Sequence, residues 1–160
     1  MHEMLGHHHF MVGDYATALS HYRQVIQEGD ANTEVKKRAV VCYVHTRRIA
    51  EAVLLFEELL KEDVDCIVRH NQDRYGCPCP EIIDEYECSL RTDEISQSDR
   101  IALGILWSFC DVHRSHEWFT EAIREDPGSA FLQSVLRILK DRIAVTPATS
   151  HYQSDKGATV

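Results

Sequence analysis

Glycine and proline are scarce in this 160-residue chain, seven and four residues respectively. That scarcity argues against turn-dense β-sandwiches and against low-complexity disorder, both of which need far more of the two breakers. No apolar run approaches the roughly 20 residues that cross a bilayer, and no basic-then-apolar leader opens the sequence. The chain therefore reads as a soluble, cytoplasmic protein without a membrane partner. Positive charge is also in short supply, 17 Lys and Arg against 26 Asp and Glu for a net −9. Nucleic-acid affinity begins with phosphate neutralisation, so a nucleic-acid partner is disfavoured. Catalytic signatures are missing as well. There is no nucleophile elbow with a Ser-His-Asp order, no glycine-rich phosphate loop and no His-Glu-x-x-His run, and the chain reads as a non-enzyme.

What is present is periodic. Ala18 and Ala52, Tyr22 and Phe56, Val25 and Leu59, and His9 and Tyr43 all stand 34 residues apart. A fixed interval of that size marks one supersecondary module used repeatedly, each copy unable to bury its apolar face alone. In the first copy Gly6 lacks a Cβ and Ala18 has a small side chain, which lets two helix backbones approach closely. Gly13 supplies a left-handed residue to end one helix, and Asp14 can accept backbone N–H bonds to start the next.

The run LGHHHFMVGDYATALSHYRQVI at residues 5–26 resembles the tetratricopeptide repeat family, with Leu5-Gly6 on the first helix, Gly13-Asp14-Tyr15 at the turn, and Ala18 and Tyr22 on the second helix. The second copy departs from the pattern, with Arg47-Arg48 where the turn glycine is expected and Val40 in place of the packing glycine. A third match falls at Phe119, Ala122 and Asp126-Pro127, but Phe56 and Phe119 are 63 residues apart, so about 30 residues intervene that the repeat does not explain. The resemblance implies an all-α fold of antiparallel helical hairpins stacked as a short, right-handed superhelical solenoid over residues 1–145. Its repeat-like units lie near 3–30, 32–62 and 99–127, with a divergent cysteine-containing insert at 63–98 and a C-terminal helix at 128–143. Thr146 to Val160 is polar and aperiodic and reads as a disordered tail.

Apolar spacing and breakers predict helices near 2–12, 15–28, 32–46, 49–62, 63–73, 80–91, 99–112, 114–125 and 128–143, with Asp14, Thr33, Ser98 and Ser115 as caps. Tyr75 to Pro80, with one Gly and two Pro, cannot be continuous helix. Residues 61–99 carry four basic and eleven acidic side chains and so hold most of the net charge; a solvated acidic face explains this simply, and a docking surface for a basic partner is the alternative.

Six cysteines divide in two. Cys42 and Cys110 fall on apolar helical stretches and read as small buried hydrophobes. Cys66, His70, Cys77, Cys79 and Cys88 form a candidate zinc set, since Cys66 and His70 share a helix face at i, i+4. The single residue between Cys77 and Cys79 is shorter than the usual knuckle spacing, so inert thiols, and no cofactor, are the simpler reading. His7, His8 and His9 point to three sides of a helix and cannot share one metal, while His113 and His116 at i, i+3 are more simply surface or capping residues.

The resemblance implies an adaptor that holds a protein or peptide partner in a concave groove. On matching positions the groove would carry Glu3, His7, Glu34, Lys37, Val41 and His45, joined by Arg100, Gly104 and Trp107 from the third unit. Family members that grip a terminal carboxylate carry Lys and Asn where this chain has Glu3 and His7, which disfavours that ligand. A zinc-clipped module and a small acidic secretion-type chaperone are the other readings. The sequence leaves the oligomeric state open.

Overall fold

A computed structural model describes residues 1–62, 64, 79–90 and 94–145. Among them are eight α-helices and no strand: α1 (His2–Met11), α2 (Tyr15–Gln27), α3 (Thr33–His45), α4 (Ile49–Glu62), α5 (Cys79–Ser89), α6 (Gln97–Ser108), α7 (Val112–Glu125) and α8 (Ala130–Val145). The chain divides into two compact units, residues 1–64 with α1–α4 and residues 65–160 with α5–α8. In the first, α1 packs on α2, α3 on α2, and α4 on α3. In the second, α6 packs on α7, α7 on α8 and α5 on α6.

The turn between α1 and α2 and the turn between α3 and α4 are the same structure in the 34-residue register. The N–H of Asp14 donates to the carbonyl of His9 at 2.9 Å, and that of Arg48 to Tyr43 at 2.8 Å. One residue earlier, Gly13 donates to Phe10 and Arg47 to Val44. Gly13 has φ +81, and Arg47 takes the same left-handed conformation at φ 64. The expected turn glycine is thus replaced by an arginine without a change of turn, because the hydrogen bonds are set by the two helices that flank it. A Cβ in this conformation costs roughly 1–2 kcal/mol, so Arg47→Gly should recover about 1 kcal/mol of stability, net of the greater chain entropy glycine brings to the unfolded state. Denaturant midpoints of the two proteins measure it.

The hairpins are closed by an aromatic ring set against the preceding helix. A Cβ built on Gly6 would lie 2.7 Å from the Tyr22 ring, and one on Gly104 would lie 2.8 Å from the Phe119 ring. Glycine is required at both places because the ring occupies the volume a side chain would need. In the second hairpin Val40 faces no such glycine rule, and Val40 and Phe56 are both fully buried. Around these contacts the first unit buries Phe10, Leu19, Val25, Val35, Val44, Leu55 and Leu59, and the second Ile82, Ile83, Leu103, Ile105, Leu106, Leu132, Val135 and Leu139. Each such side chain contributes about 1.5–3 kcal/mol on leaving water, so the core and not helix propensity holds these short helices.

Three of the four predicted caps move. Asp14 holds, accepting from the Thr17 N–H at 3.2 Å. Asn32 rather than Thr33 caps α3, accepting from Val35 at 2.9 Å. Ser96 rather than Ser98 caps α6, accepting from Asp99 at 3.1 Å. For α7 the cap is Asp111, accepting from His113 at 2.9 Å and Arg114 at 3.3 Å. Ser115 is a buried core residue whose hydroxyl donates to the Gly104 carbonyl at 2.7 Å. In each case two polar residues competed, and the one whose oxygen reaches the exposed N–H groups is decided by where the helix axis starts. Pro80 sits in the first turn of α5, where its missing N–H is harmless. The predicted helix at 63–73 and the 146–160 tail lie outside the described residues.

Candidate functional site

Helix α1 has two apolar faces. Gly6 and Phe10 are buried against the rest of the hairpin. On another side Met1, Met4, Leu5, Met11 and Val12 are between 40 and 93 % exposed, and only Leu54 and Val145 among the other described large hydrophobics are exposed. The spacing of the five places them on one stripe at 100° per residue, with His8 between them. The repeat register shows what such a stripe does. Met1, Leu5 and His8 correspond to Val35, Ala39 and Cys42 of α3, which are fully buried in the helix that packs on α2. The face that closes the second hairpin onto the first is open on α1. Met1, Met4 and Met11 give the stripe three unbranched side chains with several rotatable bonds each.

The predicted groove residues are placed unevenly. Glu3 and Glu34 are exposed, and His7 and His45 are half-buried. His7 Nδ1 is enclosed and makes no hydrogen bond among the described residues, and the His45 ring lies with its centroid 4.2 Å from that of Tyr15. Val41 is buried, and Lys37 is only 6 % exposed with its Nζ 3.9 Å from Glu34 Oε2. In the second unit Arg100 pairs with Glu125. Gly104 is filled by Phe119 and its carbonyl is taken by Ser115. Trp107 is 3 % exposed, with the Arg114 guanidinium 4.8 Å from its ring centroid. Helix α7 thus lies against both positions, with Phe119 and Ser115 at Gly104 and Arg114 over Trp107.

Of the candidate zinc set, Cys66, His70 and Cys77 lie outside the described residues, as does the side chain of Cys79; Cys88 is an exposed free thiol. Among the described residues no group of three or more His, Cys, Asp and Glu side chains converges as a metal site. Cys42 is a fully buried thiol whose pKa burial pushes up. Cys110 is half-buried. His116 is held below the ordinary imidazole value by desolvation, and its ring contacts the Thr120 hydroxyl at 3.4 Å.

The sequence reading passed over a second group, on the seam where α1 meets α2. His2 Nδ1 and His21 Nδ1 are 3.2 Å apart. The His9 ring stands nearly parallel to that of His21, 15° between planes and 5.6 Å between centroids, and His9 Nδ1 lies 3.3 Å from Asp14 Oδ2. Asp14 is held below the usual carboxylate range, chiefly by hydrogen bonds from Thr17 and with His9 adding to them. His21 is 12 residues beyond His9, so helical periodicity within either helix gave no signal of the pairing.

These features define a protein of helical hairpins, the first two of them related by a 34-residue interval. Residues 9–71 match the tetratricopeptide repeat family, and the chain is a tetratricopeptide-repeat-like helical repeat protein. No curated protein matches the sequence. Repeats of this family generally mediate protein–protein interactions, and no helix of the described residues is long and apolar enough to cross a membrane.

Proposed function

We propose that the protein is an adaptor that binds a partner protein through its first hairpin, with the exposed stripe of α1 seated against an amphipathic helix of the partner. The observation that carries this reading is the exposure of Met1 and Leu5 where their counterparts Val35 and Ala39 are buried by helix packing, with Met4, Met11 and Val12 exposed on the same stripe. The counterpart contact is helix on helix, so the occupant is a helix with an apolar ridge. Glu3 is the one charged residue of α1 apart from its histidines, so the contact is mainly apolar and depends little on salt. His7, Glu34 and His45 supply polar positions on the hairpins beside it.

Met4→Asp, alone and with Met11→Asp, tests the reading. Both positions are exposed, so the melting temperature should hold, since surface changes stay within about 0.5 kcal/mol. Partner retention in affinity capture from the native host should fall by about tenfold or more, the effect of an interface residue worth over 1 kcal/mol. Retention of the same partners by the wild type and the double variant would remove α1 as the docking surface.

A further inference from the structure

We infer that His2 and His21 form a bidentate site for a divalent transition-metal cation, clasping α1 to α2. Their two Nδ1 atoms are 3.2 Å apart. Two imidazole nitrogens bound to one zinc at about 2.0–2.1 Å stand roughly 2.9 Å apart at a right angle and roughly 3.4 Å apart at the tetrahedral angle. The observed separation falls between these limits, so a cation can enter with small ring movements. Without a cation, two neutral imidazoles in this arrangement share at most one N–H between two ring nitrogens. A metal uses both lone pairs at once.

The 34-residue register gives an independent reason to expect a cationic link here. His2 corresponds to Lys36, and Lys36 Nζ bridges α3 to α4 through Glu58 Oε1 at 2.8 Å and Glu62 Oε1 at 2.6 Å. The second hairpin closes with a cation held between two carboxylates. In the first hairpin the places of those carboxylates are held by Gln24 and Glu28, which bond to each other at 2.8 Å, and His2, at the lysine's place, meets His21 instead, a pair of ring nitrogens that suits a metal ion rather than a lysine. His9 and Asp14 extend the row on the same seam. Because His9 Nδ1 is turned to Asp14, the pair flanks the site and His9 Nδ1 is not a ligand.

Imidazole selects borderline cations, copper, nickel and zinc, over the oxygen-seeking magnesium and calcium. His2 is exposed and His21 half-buried, so water fills the remaining coordination positions and the site exchanges its ion freely. Proton and metal compete for the same nitrogens, and binding should fade as the solution is acidified.

Calorimetric titration of the full chain with NiCl2, CuCl2, ZnCl2 and MgCl2 tests the site, using His2→Ala, His21→Ala and, as a control imidazole on the exposed face of α1, His8→Ala. The expected result is one binding event for nickel, tighter for copper and absent for magnesium. It should weaken at least tenfold in His2→Ala and in His21→Ala and persist in His8→Ala. Binding to the cysteine segment would be common to all four proteins and cancels in the comparison. Metal should also raise the melting temperature of the wild type by more than that of either seam variant, and His2→Ala, at an exposed position, keeps the test open if His21→Ala folds poorly. Unchanged nickel affinity in His21→Ala, or a wild type without the event, would overturn the assignment.

Discussion

Trp107→Ala is expected to lower the unfolding free energy by about 3–5 kcal/mol, the range for deleting a large aromatic from a packed core. The ring is 3 % exposed in α6, and Arg114 of α7 covers it with a guanidinium 4.8 Å from its centroid. Truncation removes the transfer energy of the ring and leaves a cavity that the surrounding core cannot close without moving. A tryptophan that anchors a ligand behaves differently: its loss weakens binding and leaves the fold nearly untouched. Chemical denaturation separates the two, and a shift below about 1 kcal/mol would place the ring outside the core. Trp107→Phe, which keeps an aromatic of smaller volume, should lose less than the alanine variant.

The second large effect is expected at Gly104. A Cβ there would lie 2.8–2.9 Å from three atoms of the Phe119 ring, and Phe119 is itself fully buried with Phe131 edge-on at 6.1 Å. The ring has no empty space to retreat into. Gly104→Leu should therefore destabilise by about 3 kcal/mol through overpacking, at the upper end of the usual range. Gly104→Ala is a finer probe, because alanine gains about 1 kcal/mol of helix propensity over glycine while still meeting the ring. Its net loss should be near 1 kcal/mol on the same accounting. Combining Gly104→Ala with Phe119→Leu should cost less than the sum of the single changes, since the smaller side chain relieves the contact. Additivity in that cycle would show that the two residues do not share a boundary.

The sequence set Gly6 and Ala18 at a close helix contact, and the structure fills the space over Gly6 with the ring of Tyr22, four residues beyond Ala18. Gly104 and Phe119 make the same contact, yet Gly104 read as a groove position. A glycine on a helix announces only that something comes close; what comes close depends on the element packed against it. Ser115 repeats the lesson, since Ala18 and Ala52 precede their aromatics by the same four residues and Ser115 precedes Phe119 likewise. The hydroxyl disguised a core position as a helix cap. Lys37 and Val41 were assigned to a groove by register and are buried in a helix that packs along most of its circumference.

The sequence by itself determined the helical class, the 34-residue register, the turn at Gly13 with its Asp14 cap, and the presence of a close helix contact at Gly6. These follow from local chemistry, glycine's freedom at positive φ and the 3.6-residue period, which are properties of short stretches of chain. The left-handed Arg47 and the choice among neighbouring caps were decided by the tertiary structure. So were the covering of Trp107 by α7, the open stripe on α1 and the meeting of His2 with His21. Each depends on which side of one helix faces another. Periodicity fixes the angle between residues on a single helix, and the rotation of that helix against its neighbour is set by the packing of both.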